Sequence, residues 1–274
     1  MNADGPLVSV IVPTKNSGRT LEKCLTSIRN QTYRNIEIIV VDNFSVDDTP
    51  KIAKKYADKF YQKGPERSAQ KNFGARKSKG KYLVFIDSDM ELTPRVIEEC
   101  VILIETNPKI GGIIIPECSV GDSYWVKVRD FERSFYAGTE VESARFFRKD
   151  LVLKVEGFDE DVVFFEESTL PQKIERLGYN VRARINSEIL HHEDDFSFWK
   201  WLKKKYCYGR TAYMYRQRYA EYGAKQISPL RRFGLFLGDK RFYSEPLLAL
   251  GVLTLKSLEY ASVGLGYLVG KVRK

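Results

Sequence analysis

Residues 7–12 read LVSVIV, a short β-branched apolar run closed by Pro13, and this pattern predicts a buried strand. Residues 19–29 carry Leu21, Cys24, Leu25 and Ile28 at helical spacing. Residues 36–41 (IEIIVV) predict a second strand, closed by Asp42. Ser45 with Asp48 three positions on has the form of a helix start, so a helix is expected over 46–57. A helical stretch near 67–78 precedes a strand at 82–86 (YLVFI). A helix over 94–106, with Pro94 in its first turn, precedes a strand at 112–115. Nearly all-apolar strands alternating with helices argue for an α/β fold, a mostly parallel sheet with helices on both faces. Ligands of such open sheets sit beyond the carboxyl ends of the strands. Three strands end there in polar residues: Pro13-Thr14-Lys15-Asn16, Asp42-Asn43-Phe44-Ser45 and Asp87-Ser88-Asp89. No GxGxxG follows the first strand and no GxxxxGK[ST] occurs, so dinucleotide and P-loop chemistry find no support.

The net charge of +9 over 274 residues raises the question of a nucleic-acid partner, and its distribution answers it. Residues 1–199 hold 29 basic and 32 acidic side chains, a net of −3. Residues 200–241 hold 12 basic against 2 acidic, and residues 242–274 hold 4 against 2. The basicity is local to the C-terminal third, so no nucleic-acid partner is expected. The apolar fraction of 43% suffices for a packed core. The four cysteines (Cys24, Cys100, Cys118 and Cys207) form no close pair, which excludes a dense disulfide scaffold or a CxxC zinc site and suits a reducing compartment. Residues 1–8 lack a basic stretch followed by an apolar one, so no secretory signal is expected.

The Asp87-Ser88-Asp89 segment carries the sharpest chemistry. Alternation on an extended segment would send Asp87 and Asp89 to one side, where two carboxylates repel unless a cation intervenes. Mg²⁺ is commonly held by one or two carboxylates plus substrate phosphates, so this spacing suits a metal–diphosphate complex. A solvated turn or helix cap is the plain alternative.

Three ordered segments, VSVIVPTKN, VVDNFSVDDT and KGKYLVFIDSDMELTP, resemble the family-2 inverting glycosyltransferases of the GT-A fold. The resemblance covers about residues 7–195 and implies the following roles. Pro13, Thr14 and Asn16 line the nucleotide pocket, and Asp42 or Asn43 bonds the base. Arg67, Gln70 and Asn72 lie near the nucleotide and diphosphate. Asp87 approaches the ribose and metal, Ser88 the nucleotide sugar, and Asp89 binds Mn²⁺ or Mg²⁺. Aligning back from Gly178-Tyr179 puts Glu166 and Glu167 at the family's Glu-Asp pair. The second is the general base that takes the proton from the acceptor, with Glu166 the alternative one residue earlier. Pro171 would then fall in the first turn of the following helix. Of the two histidines, the family spacing selects His192 as a further metal ligand. The donor is a UDP- or GDP-linked sugar.

Residues 196–222 mix aromatic and basic side chains, a composition suited to a membrane interface. Residues 246–270 are long enough to span a bilayer, but Lys256 and Glu259 in their middle are costly in hydrocarbon. An in-plane amphipathic helix, reinforced by Lys271, Arg273 and Lys274, reads better than a span, with packing on the protein as the plain alternative. The sequence thus divides into a catalytic domain over 1–195 and basic, aromatic and amphipathic C-terminal helices over 196–274. The whole reads as a metal-dependent inverting hexosyltransferase of glycan biosynthesis with a lipid-linked or other glycan acceptor. It is expected on the cytoplasmic face of an anionic membrane surface, peripheral or monotopic. The competing readings are an inert GT-A module docked on a membrane and an RNA-binding protein using the basic segment.

Overall fold

The computed structural model describes residues 5–193 and 196–272, apart from the side chain of Glu221. In chain order the elements are β1 (Val8–Thr14), α1 (Leu21–Arg29), β2 (Ile36–Asp42), α2 (Thr49–Tyr56), β3 (Lys59–Gln62), α3 (Arg67–Lys77), β4 (Tyr82–Phe85), β5 (Met90–Leu92), α4 (Val96–Thr106), β6 (Gly112–Ile114), β7 (Glu117–Val120) and α5 (Tyr124–Ser134). There follow β8 (Phe146–Arg148), α6 (Lys149–Lys154), α7 (Glu166–Glu175), β9 (Ala183–Arg184) and β10 (Ile189–His192). The chain continues with α8 (Phe198–Arg218), α9 (Ala220–Ile227), α10 (Pro229–Leu237), α11 (Arg241–Ser244) and α12 (Pro246–Val272). The described residues fall into two compact units. The first takes Met1–Glu117, Ser143–Glu160 and Glu166–His192, and the second takes Cys118–Glu142, Asp161–Phe165 and Glu193–Lys274.

The first unit is built on a seven-stranded sheet of order β3-β2-β1-β4-β8-β6-β9. β1 pairs in parallel with β2 from Val8–Ile36 to Thr14–Asp42, and in parallel with β4. β8 runs antiparallel to its neighbours β4 and β6. The period-two alternation of the strands feeds two cores. Val10, Val12, Ile38 and Val40 pack with Leu21, Leu25 and Ile28 of α1 and with Ile97, Cys100 and Ile104 of α4. Ile11, Ile39, Val41 and Phe85 pack with Ala75 of α3, Leu151 of α6 and Leu170 and Ile174 of α7. Both faces of the strands are therefore apolar, and each such side chain contributes about 1.5–3 kcal/mol by burial. This is the expected α/β architecture.

Beyond shifts of a single residue, three boundaries differ from expectation. β1 runs through Pro13 instead of ending before it. The Ile11 carbonyl accepts from Ile86 on the β4 side, so Pro13, two residues on, turns its missing N–H to that side beyond the last β4 pairing, where no ladder bond is lost. α2 begins at Thr49 instead of 46, because the Asp47 carboxylate is used in a turn, accepting from Gly18 N at 2.9 Å and Thr49 N at 3.1 Å. α4 begins at Val96, and Pro94 precedes it, with its carbonyl accepting from Thr32 N at 2.9 Å.

In the second unit, Val128, Phe135 and Tyr136 pack with Phe236, Phe242, Val252 and Leu255. This apolar cluster draws Cys118–Glu142 to the C-terminal helices, a grouping that a linear boundary at 195 does not contain. Residue 195 itself, with Arg273 and Lys274, lies outside the described residues.

Candidate active site

The parallel register brings the carboxyl ends of β1, β2 and β4 to one edge of the sheet. There the Asp42 carboxylate is fully buried and occupied: it accepts from Thr14 Oγ1 at 2.9 Å, from Ser45 N at 2.8 Å and from the Ser45 hydroxyl. Asn43, half-buried, donates its side-chain amide to Pro65 O at 2.6 Å. The candidate base readers thus hold the β2 turn together. Asn16 takes a left-handed conformation (φ 49°), and its side-chain oxygen accepts from Val46 N at 3.1 Å, joining the turn after β1 to that after β2. Pro13 is buried. Gln70 is buried too, and its amide donates to the carbonyls of Thr14 at 2.9 Å and Val41 at 2.5 Å, tying the two strand ends to α3.

Asp87, Ser88 and Asp89 do not continue β4 as an extended segment. They form a turn in which Met90 N donates to Asp87 O at 3.1 Å, so strand alternation does not govern their side chains. Ser88 bonds Ser17 Oγ at 2.8 Å. Asp87 faces two cations, Lys71 Nζ at 3.9 Å and Arg145 at 3.5 Å, and its Oδ1 is a buried oxygen without a hydrogen bond. Burial alone would raise its carboxyl, but Lys71 and Arg145 hold it well below the usual carboxylate range. Asp89 is more open, with 43% of its side chain exposed, and meets His191 Nε2 at 3.3 Å. His192 points elsewhere, with Nε2 2.8 Å from Glu91 Oε2. The reason is the alternation of β10, which sends adjacent histidines to opposite faces; the family count selects 192, whereas the geometry brings 191 to Asp89.

The Glu166–Glu167 pair opens α7. Glu166 is buried and bound by Arg67 at 3.0 Å and Lys71 Nζ at 3.7 Å. Glu167 makes no salt bridge among the described residues, and burial together with the neighbouring Glu166 charge raises its carboxyl. A carboxylate so raised and unpaired has the properties of a proton acceptor. Pro171 is the sixth residue of α7 instead of a first-turn residue, and the packing of Leu170 and Ile174 into the core holds the helix across it. Asn72 does not reach this cluster: its amide donates to Phe158 O at 2.9 Å and Glu160 Oε1 at 3.0 Å, and its oxygen accepts from Phe158 N at 2.8 Å. It clamps the Gly157 turn (φ 71°), where an added Cβ would lie 2.1 Å from its oxygen.

Sequence reasoning missed two residues. Lys71, only 2% exposed, stands between Asp87 and Glu166 with its ammonium 5.3 Å from the Phe158 ring centroid. Arg145 bridges Asp87 and Glu117, the latter at 2.5 Å. The one signal for Lys71 was its place inside ERSAQKN, between two residues already singled out.

Among the described residues no three His, Cys, Asp or Glu side chains converge as a self-sufficient metal cage. A hard divalent cation held through one or two carboxylates and diphosphate oxygens needs no such cage. The unbonded Asp87 oxygen and the open Asp89 beside His191 fit that lesser demand.

Comparison with solved structures gives a TM-score of 0.70 to the mannosyltransferase PcManGT from Pyrobaculum calidifontis, described in complex with GDP-Man and Mn²⁺. The identity is 18%, over 99% of this chain and 89% of that one. S. aureus TarS in complex with UDP-GlcNAc gives 0.58 at 17% identity, over 97% of this chain and 90% of that one. These likenesses establish the GT-A fold. Among curated relatives, the putative glycosyltransferase EpsH of Bacillus subtilis is 38% identical over 100 residues, covering 34% of this chain and 29% of that protein. The GalNAc(5)-diNAcBac-PP-undecaprenol beta-1,3-glucosyltransferase of Campylobacter jejuni is 38% identical over 97 residues, covering 32% and 31%. The matched stretch spans about a third of the length of these relatives. The family model for glycosyl transferase family 2 matches residues 9–159, more than half of the chain, and the protein belongs to that family.

Proposed function

We propose that the protein transfers a hexosyl group, with inversion, from a UDP- or GDP-linked sugar to an acceptor hydroxyl or phosphate. The observation that carries this reading is the convergence, at one sheet edge, of an unpaired raised carboxylate with a carboxylate turn backed by buried cations. Glu167 accepts the proton of the acceptor O–H as that oxygen forms its bond to the anomeric carbon. The bond from that carbon to the diphosphate breaks, and the nucleoside diphosphate leaves on the opposite face. Glu166, fixed by Arg67 and Lys71, holds the start of α7 and keeps its neighbour raised. Lys71 and Arg145 fix Asp87. Asp87 and Asp89, with His191 in place of His192, would hold a Mn²⁺ or Mg²⁺ ion, which supplies Lewis-acid stabilisation of the departing diphosphate.

The nucleotide sugars named with PcManGT and TarS support the donor class, and Mn²⁺ with the former supports a divalent ion. The polyprenyl diphosphate-linked substrate named for the Campylobacter enzyme supports a lipid-linked acceptor and, with it, a peripheral or monotopic place on the cytoplasmic face of a membrane. A panel of UDP- and GDP-sugars with Mn²⁺ or Mg²⁺ and a membrane extract tests the reading. We expect one donor to yield a glycosylated lipid-extractable product that Glu167→Gln abolishes. Absence of thermal stabilisation by every nucleotide, with or without metal, overturns it in favour of an inert module.

A further inference from the structure

Among the described residues one helix, α12, is long and apolar enough to cross a membrane by length and composition. Its charged centre tells against crossing. Lys256 Nζ lies 2.6 Å from Glu132 Oε1 and also pairs with Glu259. Glu259 pairs in turn with Lys205 of α8. Two cations and two anions thus close a neutral quartet in the interior of the helical unit, and Tyr136 donates its hydroxyl to Glu132. Burial alone would raise Glu259, but Lys205 and Lys256 hold it well below the usual carboxylate range. Withdrawing α12 into a bilayer would strand Glu132 and Lys205 without their partners.

The α8 side of α12 is also closed by shape. A Cβ on Gly266 would lie 2.2 Å from the Tyr206 carbonyl oxygen, so the two backbones touch, and Ser262 Oγ donates to Leu202 O at 2.9 Å. The remaining face is uncovered. Leu247, Leu250, Thr254, Leu258, Ala261, Leu265, Leu268 and Val272 are all exposed, and seven of the eight are apolar. They recur at steps of three and four residues, so they share one face of the helix over about 38 Å. The second unit also exposes 12 Lys and Arg against 3 Asp and Glu among its described residues, with Trp199 and Tyr243 exposed as well.

We propose that α12 lies in the plane of an anionic lipid surface, its Leu247–Val272 ridge in the acyl boundary, and that the Lys205–Glu259–Lys256–Glu132 quartet locks it to the protein instead of letting it span. The apolar ridge supplies the hydrophobic contact and the exposed cations the attraction to anionic headgroups. This deepens the membrane reading above and rests on it; vesicle partition, read without turnover, keeps the two failures apart.

The test sediments the full chain with vesicles of phosphatidylcholine, alone or mixed with phosphatidylglycerol. We expect co-sedimentation with the anionic vesicles, weakened by salt and released by alkaline carbonate. Leu265→Glu with Leu268→Glu, and separately Leu250→Glu with Leu258→Glu, should each lower partition about tenfold or more at unchanged melting temperature. Wild-type protein that ignores anionic vesicles overturns the membrane reading and this proposal together. Ridge variants that bind as well as wild type overturn the proposal alone. So does resistance to carbonate, which marks a spanning helix, or a wild-type dimer in light scattering that the ridge variants split, which marks a second copy on the ridge.

Discussion

Lys71→Met removes the ammonium that Asp87 and Glu166 share and leaves a side chain of similar length. The Lys71 nitrogen lies 3.9 and 3.7 Å from the two carboxylates. At an effective dielectric of about 20 each contact is worth about 4 kcal/mol of Coulomb attraction, much of it offset by desolvation of the buried lysine. Removing one partner of a buried pair costs about 3–5 kcal/mol when the other charge is left alone. Here neither is left alone, since Arg67 still binds Glu166 at 3.0 Å and Arg145 still binds Asp87 at 3.5 Å. Contact with the Phe158 ring adds about 0.5–1 kcal/mol. We therefore expect Lys71→Met to lose about 2–3 kcal/mol of unfolding free energy, measured by urea denaturation in metal-free buffer at unchanged slope. Adding Glu166→Gln to it should restore about 1 kcal/mol, because it removes a buried charge then held by Arg67 alone. Stability within about 0.5 kcal/mol of wild type, or a more stable Lys71→Met protein, would refute the claim that this lysine holds the two carboxylates together.

Glu167→Gln should keep nucleotide-induced thermal stabilisation and lower transfer by about 10²- to 10⁴-fold. The Glu167 carboxyl is raised by burial and by Glu166, and a base acts only when ionised. Transfer should accordingly fall with decreasing pH through a limb above the ordinary glutamate value, and Glu166→Gln, by removing one raising charge, should move that limb to lower pH; a limb that stays put excludes Glu167 as its source. His191→Ala should raise the Mn²⁺ concentration needed for nucleotide-dependent stabilisation about tenfold, with His192→Ala near wild type, and the reverse order would return the ligand to the family register. Asn72→Ala should cost about 1–3 kcal/mol in urea melts by leaving the Phe158 amide and carbonyl unpaired, and an unchanged melt would show that the Gly157 turn holds without its clamp.

How far the sequence discloses the site depends on whether a feature is local. VSVIVPT, IEIIVVD and YLVFI announce both the strand and its polar end in adjacent letters, so the sheet and its ligand edge are legible. The turn at Asp87–Asp89 is not, because leaving the extended state erases the alternation that would aim its side chains. The adjacent histidines show the same limit: one residue of register decides which reaches Asp89, and strand pairing sets that register. Lys71 is hidden for a further reason. It lies in a helix whose Ser68, Gln70, Lys71 and Asn72 are all buried, so α3 lacks the apolar stripe that marks a core-facing helix. Its partners come from distant parts of the chain, and only the closed sheet brings them within reach. The α12 quartet repeats this logic: Lys256 and Glu259 stand visibly three apart, yet Glu132 and Lys205, which turn a costly pair into a neutral lock, come from other helices. A charge inside an apolar run therefore signals an interior partner to be sought as much as it signals a barrier to insertion, and whether Lys256 anchors or forbids is decided by residues no local window contains.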